Sequence, residues 1–264
     1  MRLKKKDINK VLKKILKTLI QIDSKILKKK IDFRSKSKTE IDPVTKFDIM
    51  IEKKIKNIIK KTFPSHDIIG EETKQKLSNS PFKWYIDPID GTKALIMGLP
   101  NWSHLIGLHF NSIPILSFIY FPVLKKLYYS SGDKSFLKSD KKITQIKSSR
   151  NTSLNKAVIS MNTMKNTQNL KILEKLKRDK KFYKITGADA LNYCLLSEGK
   201  IDIIIEKSLK KVDFFPILKL IKNSGAIVTD WSGKQLYKNG DVIVAGNKKI
   251  YNNFVKKYIS KKMI

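Results

Sequence analysis

The chain has 264 residues, 41% of them hydrophobic, and its 56 basic against 23 acidic side chains give a formal net charge of +33 at pH 7. This length and apolar content suffice for a sizeable buried core, which excludes wholesale disorder. A single cysteine, Cys194, excludes an internal disulfide and a cysteine-rich zinc site, and its apolar neighbours indicate a core position in a protein of a reducing compartment.

The first predicted elements are two helices. Apolar residues recur at helical spacing from Ile8 to Ile20 and predict an amphipathic helix. A polar stretch, 33–45, is predicted to be a loop, and a second helix runs from about Thr45 to Phe63. Asp48 follows Thr45 at the spacing of a helix capping box, so capping and ligand binding are both open for Asp48.

The middle of the chain predicts a meander, and the second half alternates strands with helices. The predicted strands of the first half are 67–70, 83–86, 104–110, 113–121 and 125–131, with turn residues between the last three. The second half predicts strands at 157–161, 182–186, 201–206, 226–229 and 242–246, and helices at 165–178, 188–198, 213–223 and 248–260. Helices layered on sheets predict an α/β fold, more specifically a layered α+β sandwich.

We expect one unit over 1–264, with an N-terminal α+β half of about 1–145 and a C-terminal α/β half of about 146–264. The likeliest boundary lies near 140–152. Lysines interrupt every apolar run near the N-terminus, and no stretch approaches the roughly 18 apolar residues of a membrane span. The sequence therefore predicts a cytoplasmic protein that does not bind membranes.

Acidic residues form four clusters against this basic background: Asp42 with Asp48, Glu71 with Glu72, Asp87 with Asp90, and Asp213. Three of the clusters lie where a predicted strand ends or a helix begins, which is where functional loops gather in layered folds. Carboxylates that converge repel one another unless a cation neutralises them, and Mg²⁺ is the cation that joins carboxylates to a substrate phosphate.

The stretch "DPIDGT", residues 87–92, is the most specific of these clusters. Its proline fixes a turn, so that Asp87 and Asp90 can point to one side with the Ile89 carbonyl between them. Gly91 permits close approach of the backbone, and the Thr92 hydroxyl can hold a water molecule. Each cluster alone has a plain alternative: a turn, a surface pair at 71–72, or a helix cap at Asp213. Their order along one chain carries the specificity.

This ordered set resembles the inositol monophosphatase superfamily of Mg²⁺-dependent, lithium-sensitive phosphatases. The resemblance implies an αβαβα sandwich, hydrolysis of a small phosphomonoester and a homodimer. It implies metal ligands at Glu71, Asp87, the Ile89 carbonyl, Asp90 and Asp213, with Asp48 holding a further ion. It also implies that Thr92, with Asp48 or Glu71, positions the attacking water, and that Asp90, Gly91, Thr92 and Asp213 contact the substrate.

Within the superfamily, the chain is most similar to the histidinol-phosphate phosphatase branch, which acts in histidine biosynthesis. The similarity is carried by "DPIDGTKALIMGLPNWSHLIGL", "ITGADALNYCLLSEGKIDIIIE" and "AIVTDWSGK". Asp189 and Glu206 would place acidic groups at the leaving-group end, which suits the ammonium of histidinol phosphate. Asp189 could instead stabilise a helix N-terminus. Inositol, sugar and nucleotide 3′-phosphates are the alternative substrates.

Some residues depart from the family pattern or have open roles. Val212 precedes Asp213 where an aromatic residue is common, and Phe214-Phe215-Pro216 follows where small residues are common. Lys36 and Lys38 are the candidates for a lysine near the metal site. His104 is interpreted as a packed or solvated side chain and not as a general base.

The high positive charge is also compatible with a basic RNA-binding protein on the same scaffold. However, the lysines are spread over the whole length and only four of the basic residues are arginines, which are Arg2, Arg34, Arg150 and Arg178. Specific nucleic-acid readers favour arginine for bidentate contacts. We therefore expect no specific nucleic-acid partner.

Overall fold

The computed structural model describes residues 4–38, 42–74, 77–161, 167–185, 189–234 and 241–259, apart from the side chains of 167–169, 185 and 189. Two long helices, α1 (Lys5–Ile26) and α2 (Lys46–Thr62), come first. Between them lies a short antiparallel hairpin, β1 (Phe33–Ser35) and β2 (Pro43–Thr45), in the stretch predicted as a loop. The β1 side chains are exposed, so this strand has no apolar pattern to reveal it.

The next part of the chain forms a seven-stranded sheet. Its strands are β3 (Asp67–Gly70), β4 (Phe82–Asp90), β5 (Ser103–Phe110), β6 (Ile113–Phe121), β7 (Lys126–Ser131), β8 (Lys134–Ser139) and β9 (Lys142–Ile146). The order of the strands in the sheet is their order in the chain. Strands β3 and β4 are parallel, and every later pair of neighbours is antiparallel. The predicted meander is therefore confirmed. A short helix, α3 (Thr92–Ile96), connects β4 to β5.

Strand β9 lies within the region predicted as the boundary between two halves. Four of its five residues are exposed because it is the last strand of the sheet, and this exposure removes the alternation that predicts strands. The division into halves near 145 stays a prediction.

The second half forms a five-stranded sheet with the order β11-β10-β12-β14-β13. Its strands are β10 (Ile159–Met161), β11 (Tyr183–Ile185), β12 (Ile203–Glu206), β13 (Ile227–Thr229) and β14 (Val242–Ala245). Its helices are α4 (Thr167–Arg178), α5 (Asp189–Ser197), α6 (Lys211–Phe214), α7 (Leu218–Ser224) and α8 (Lys248–Tyr258). The predicted helix over 213–223 is thus two helices, since Pro216 lacks the N–H and the φ freedom that a helix interior requires.

Three apolar clusters define the layers. The first joins α1 and α2 to one face of the seven-stranded sheet. The second joins the opposite face of that sheet, α5 and α7 to the five-stranded sheet, and it contains Cys194, the predicted core cysteine. The third covers the outer face of the five-stranded sheet with α4 and α8. The order helix, sheet, helix, sheet, helix confirms the predicted αβαβα sandwich. Among the described helices, none is long and apolar enough to cross a membrane.

Candidate active site

A pocket of 260 Å³ opens where the end of β4 meets the start of α6. The residues that line it come from the hairpin before α2, from the ends of β3 and β4, and from the start of α6. Its lining consists of Lys36, Asp42, Pro43, Glu71, Asp87, Ile89, Asp90, Gly91, Thr92, Lys93, Lys210 and Asp213. All four acidic clusters identified in the sequence are represented in this lining, the first of them by Asp42, so the fold brings distant acids to one cavity.

Three carboxylates converge at this pocket. Glu71, Asp87 and Asp213 each offer an oxygen atom, and these atoms lie within 4.8 Å of one another. Asp87 is buried, whereas the other two are half-buried. Carboxylate oxygens at this spacing are the donors that a hard divalent cation prefers. Ile89, whose carbonyl is a predicted ligand, also lines the pocket, and its carbonyl oxygen lies 3.1 Å from the Thr92 hydroxyl.

Strand β4 presents Asp87 and Asp90 through a bulge. Asp87 is opposite Leu105 and Asp90 is opposite Ser103, so β4 has two residues where β5 has one. The Ile89 N–H donates to Asp87 Oδ1 at 3.0 Å, and the Ser103 hydroxyl donates to Asp90 Oδ2 at 3.3 Å. Asp87 and Asp90 therefore belong to an extended strand with a local irregularity and not to an isolated turn.

The surroundings of Asp48 are compatible with both roles that the sequence left open, which are helix capping and ligand binding. The Thr45 N–H donates to Asp48 Oδ2 at 2.8 Å as part of a capping box at the start of α2. The Thr92 hydroxyl lies 3.2 Å from Asp48 Oδ1. Burial raises the pKa of Asp48 and outweighs the opposing hydrogen bonds from Thr45. The capping prediction is confirmed, and the second oxygen faces the pocket residue Thr92.

The electrostatics of the pocket fit a bound cation. Burial raises the pKa of Asp87 well above its ordinary value, and the negative charges of Glu71 and Asp90 add to this effect. A buried carboxylate among anionic neighbours is costly unless positive charge offsets it. The donor set of carboxylates and one carbonyl fits Mg²⁺, which takes oxygen ligands.

Two ammonium groups supply part of that positive charge in the structure. Lys36 Nζ and Lys210 Nζ each lie 2.9 Å from Glu71 Oε1, and Lys36 also lies 2.8 Å from Glu72 Oε1. Burial alone would raise the pKa of Glu71, but the charges of Lys36 and Lys210 outweigh it, so that pKa is lowered. The sequence had suggested Lys36 as a lysine near the metal site, but not Lys210. The position of Lys210, three residues before Asp213, was the signal that could have indicated it.

Glu52 is a further residue that sequence reasoning missed. It is fully buried, and its carboxylate accepts the N–H groups of Glu72 (2.7 Å) and Thr73 (2.9 Å). Lys56 Nζ lies 2.9 Å from Glu52 Oε1. These bonds fix the loop that carries Glu71. Glu52 follows Asp48 by one helical turn and so lies on the same face of α2, which was the only sequence signal for its role.

The residues after Asp213 pack between the two sheets. The Phe215 ring lies 4.9 Å from Tyr85 and 5.2 Å from His109, measured between ring centroids. Gly107 lets β5 approach Pro216 closely, because a Cβ at that position would lie 2.4 Å from the Pro216 Cα. The departure from the family pattern at 214–216 therefore places bulky groups against the seven-stranded sheet.

Of the two acids predicted at the leaving-group end, only Glu206 has a described side chain, and Glu206 does not line the pocket. Glu206 is fully buried, and the Tyr193 hydroxyl donates to its Oε2 at 2.5 Å. Asp189 is the first residue of α5, and its side chain lies outside the described residues. Both roles stay predictions, as do the individual ligand and catalytic roles of the residues in the pocket.

Comparison with known proteins places this geometry in context. The model of the "Inositol monophosphatase family" matches residues 4–262. "Bifunctional phosphatase IMPL2, chloroplastic" of Arabidopsis thaliana is 32% identical over 220 residues, which are 81% of this chain and 62% of that protein. The chain thus spans less than two thirds of the length of that relative. "Fructose-1,6-bisphosphatase/inositol-1-monophosphatase" of Aquifex aeolicus is 32% identical over 231 residues, 84% of this chain and 85% of that protein.

A more distant relative and a solved structure complete the comparison. A "Histidinol-phosphatase" of Chlorobaculum parvum is 24% identical over 219 residues, 83% of this chain and 84% of that protein. The structure of an IMPase from Thermotoga maritima superposes with a TM-score of 0.76 at 27% identity, covering 92% of this chain and 96% of the other. The layered fold is therefore shared with a solved inositol monophosphatase.

Proposed function

The chain belongs to the inositol monophosphatase family, whose members are phosphoric monoester hydrolases, and on this premise we propose that it is a Mg²⁺-dependent phosphatase of L-histidinol phosphate. One observation carries the proposal: the carboxylate oxygens of Glu71, Asp87 and Asp213 lie within 4.8 Å of one another in a pocket. Carboxylate oxygens at this spacing suit a divalent cation, and a metal-dependent phosphatase needs such a group of ligands.

The proposed metal ligands are those that the resemblance implies, and each belongs to a residue that lines the pocket: Glu71, Asp87, the Ile89 carbonyl, Asp90 and Asp213. Asp48 is the proposed ligand of a further ion, partly through water. Bound Mg²⁺ would supply positive charge to the phosphate oxygens and lower the pKa of a water molecule. Losing any one carboxylate would reduce that charge complementarity.

Thr92 and Asp48 are the proposed pair that orients the attacking water. The Thr92 hydroxyl lies 3.2 Å from Asp48 Oδ1 and 3.1 Å from the Ile89 carbonyl oxygen. Because a hydroxyl has one proton, it donates to one of these oxygens at a time and keeps its lone pairs for a water molecule. The raised pKa of Asp48, which burial causes, makes it a better proton acceptor.

The choice of histidinol phosphate rests on the resemblance of three stretches of sequence and on the charge of the leaving group. Histidinol carries an ammonium and an imidazole, for which a carboxylate is a suitable contact. We assign that contact first to Asp189. Glu206 is second, since its carboxylate already accepts a hydrogen bond from Tyr193.

Hydrolysis of myo-inositol 1-phosphate is the second candidate function. It is favoured by the relative in Aquifex aeolicus, which is named for fructose-1,6-bisphosphatase and inositol-1-monophosphatase activity and covers 84% of this chain. A polyol leaving group has no cation, so Asp189 would contribute little to its recognition.

The test measures phosphate release from L-histidinol phosphate and from myo-inositol 1-phosphate, with Mg²⁺ and with a chelator. We expect Mg²⁺-dependent release that is faster from histidinol phosphate. Asp189→Ala should lower kcat/KM for histidinol phosphate by about tenfold or more, as expected for loss of a charged contact, and leave inositol phosphate within about twofold. Preference for inositol phosphate would overturn the substrate assignment, and absence of release from both would overturn the proposed activity.

A further inference from the structure

A buried pair of side chains connects α1 to the bulge that carries the metal-site carboxylates. His104 Nε2 lies 3.1 Å from Asp23 Oδ1, and His104 Nδ1 contacts the carbonyl oxygen of Pro88. His104 is fully buried and Asp23 is 3% exposed. Neither residue lines the pocket of 260 Å³, so neither has a place in the proposed chemistry.

The bulge explains why the Pro88 carbonyl needs this contact. Pro88 and Ile89 lie between the paired residues Asp87 and Asp90, and His104 is the one residue of β5 opposite them. The extra residue of a bulge is left out of the ladder of hydrogen bonds. A buried carbonyl without a donor is destabilising, because it has lost its hydrogen bonds to water. The His104 side chain supplies the donor that the partner strand cannot.

The contact also fixes the peptide unit that joins Pro88 to Ile89. A peptide unit is planar, so its carbonyl and its N–H turn together. Holding the Pro88 carbonyl against His104 therefore directs the Ile89 N–H to Asp87 Oδ1, to which it donates at 3.0 Å, and Asp87 is a proposed metal ligand. The orientation of a proposed metal ligand thus depends on a bond that lies outside the metal site.

Asp23 fixes the imidazole ring from its far side. Both ring nitrogens face oxygen atoms, so a rotated ring would place carbon atoms against both the Asp23 carboxylate and the Pro88 carbonyl. Trp102 contacts the ring with its edge, at 5.5 Å between centroids, and Tyr120 stacks on it at 6.2 Å. The ring therefore has one orientation.

We propose that Asp23 and His104 are a positioning pair for the metal site: His104 holds the Pro88 carbonyl, and Asp23 holds His104. The inference rests on the proposed function, because it assigns the pair to the preparation of that site. A purely structural pair would contribute to the free energy of unfolding only. The positioning pair also determines the affinity for Mg²⁺ and the value of kcat.

Two amide substitutions of His104 separate its two contacts. In His104→Asn, the amide nitrogen lies near the place of Nδ1 and can still donate to the Pro88 carbonyl. In His104→Gln, it lies near the place of Nε2 and can donate only to Asp23. Both variants lose one buried hydrogen bond, so both should unfold at a lower temperature by similar amounts.

The Mg²⁺ affinity of the metal-free protein, measured by titration calorimetry, distinguishes the two variants. We expect His104→Gln to lose about tenfold or more in Mg²⁺ affinity and in kcat, with KM nearly unchanged, as for loss of an outer contact of a metal site. His104→Asn should stay within about threefold of the wild type in both. Asp23→Asn, which keeps an acceptor oxygen for the ring and so folds readily, should show a smaller loss of about two- to fourfold in affinity.

Asp202→Asn is the matched control, since Asp202 is also buried and its Oδ2 accepts the Val158 N–H at 2.8 Å outside the site. It should lower the unfolding temperature without changing Mg²⁺ affinity. The positioning role is overturned if His104→Gln and Asp23→Asn bind Mg²⁺ as tightly as the wild type while the wild type binds Mg²⁺ and hydrolyses a phosphomonoester. A wild type that does neither overturns the proposed function, and this inference with it.

Discussion

The two walls of the pocket are built differently. The wall formed by the end of β4 carries Asp87, and the lining residue Thr92 contacts Asp48 of α2 behind it. Asp48 and Asp87 are 1% and 2% exposed and are held by backbone N–H groups. The opposite wall is the four-residue helix α6, where Lys210 is half-exposed and Asp213 is anchored by the Lys210 N–H at 3.1 Å. The first wall, which we call the fixed wall, thus carries buried carboxylates, whereas the second, which we call the adjustable wall, carries a half-exposed ammonium.

This difference assigns different tasks to the two walls. Buried carboxylates that are fixed before a cation arrives form a pre-organised site, and pre-organised charge is what lowers the barrier of a reaction. A short, partly exposed helix with a movable ammonium can adjust when a cation or substrate enters. We therefore expect substitutions in the first wall to act on rate and stability, and substitutions in the second wall to act on affinity.

The largest effect is expected for Asp87→Asn in the fixed wall. The substitution removes a buried anionic ligand, so kcat should fall by at least about 10³-fold, or about 4 kcal/mol. The metal-free protein should unfold at the same or a higher temperature, because the substitution removes a carboxylate whose pKa is raised by burial and, in addition, by the charges of Glu71 and Asp90. Kinetics with Mg²⁺ and thermal unfolding in a chelator measure the two effects.

Asp202→Asn provides the comparison for Asp87→Asn. Asp202 is also a buried aspartate, but its Oδ2 accepts the Val158 N–H at 2.8 Å far from the pocket lining. It should lower the unfolding temperature and keep kcat within about twofold. If Asp87→Asn retained most of the wild-type kcat, the fixed wall would not be the wall that binds the metal.

Acid should loosen the fixed wall through His66, which bonds to Trp84 at the start of β4. Burial, together with the charge of Lys60, lowers the pKa of His66 to about 4 from 6.5. The unfolded chain therefore binds a proton before the folded protein does. The stabilisation is complete above about pH 6.5 and is lost as the pH falls to about 4, by up to about 3 kcal/mol.

His66→Gln tests this pH dependence, because glutamine does not titrate and its amide oxygen can still accept the Trp84 N–H. The variant should lose less stability than the wild type between pH 6.5 and pH 4, measured by chemical unfolding at a series of pH values. Equal slopes for the two proteins would show that His66 does not anchor the wall.

The layered fold and the acids of the pocket could be predicted because both leave a pattern in the sequence. Helical spacing and strand alternation report burial, and burial defines the layers. The acids of 87–90 could be recognised because they stand together at the end of an apolar strand. Exposed strands such as β9 and β1 have no such pattern, and their positions depend on pairing with neighbours.

Contacts between residues that are far apart in the chain could not be predicted from the sequence. Asp23 and His104 are 81 residues apart in the sequence. In the sequence, Glu52 is indistinguishable from an exposed helix residue, and only the structure shows its buried hydrogen bonds to residues 72 and 73. The role of Glu206 at the leaving-group end stays a prediction, and the hydrogen bond that its carboxylate accepts from Tyr193 could not be foreseen from the sequence. A spacing along the chain does not specify which way a buried side chain turns.

The smallest effect is expected in the adjustable wall, for Lys210→Met. Lys210 Nζ lies 2.9 Å from Glu71 Oε1 and 3.5 Å from Asp42 Oδ2, so its ammonium occupies carboxylates that a cation would use. Removing the ammonium should raise Mg²⁺ affinity by about three- to tenfold, a small gain because Lys210 is half-exposed and screened by water. Calorimetry at low and high salt measures it, with Lys211→Met as the exposed neighbour that should change affinity by less than about twofold. A lower Mg²⁺ affinity in Lys210→Met would mean that Lys210 supports the carboxylates and does not compete for them, and the contrast between a fixed and an adjustable wall would then be wrong.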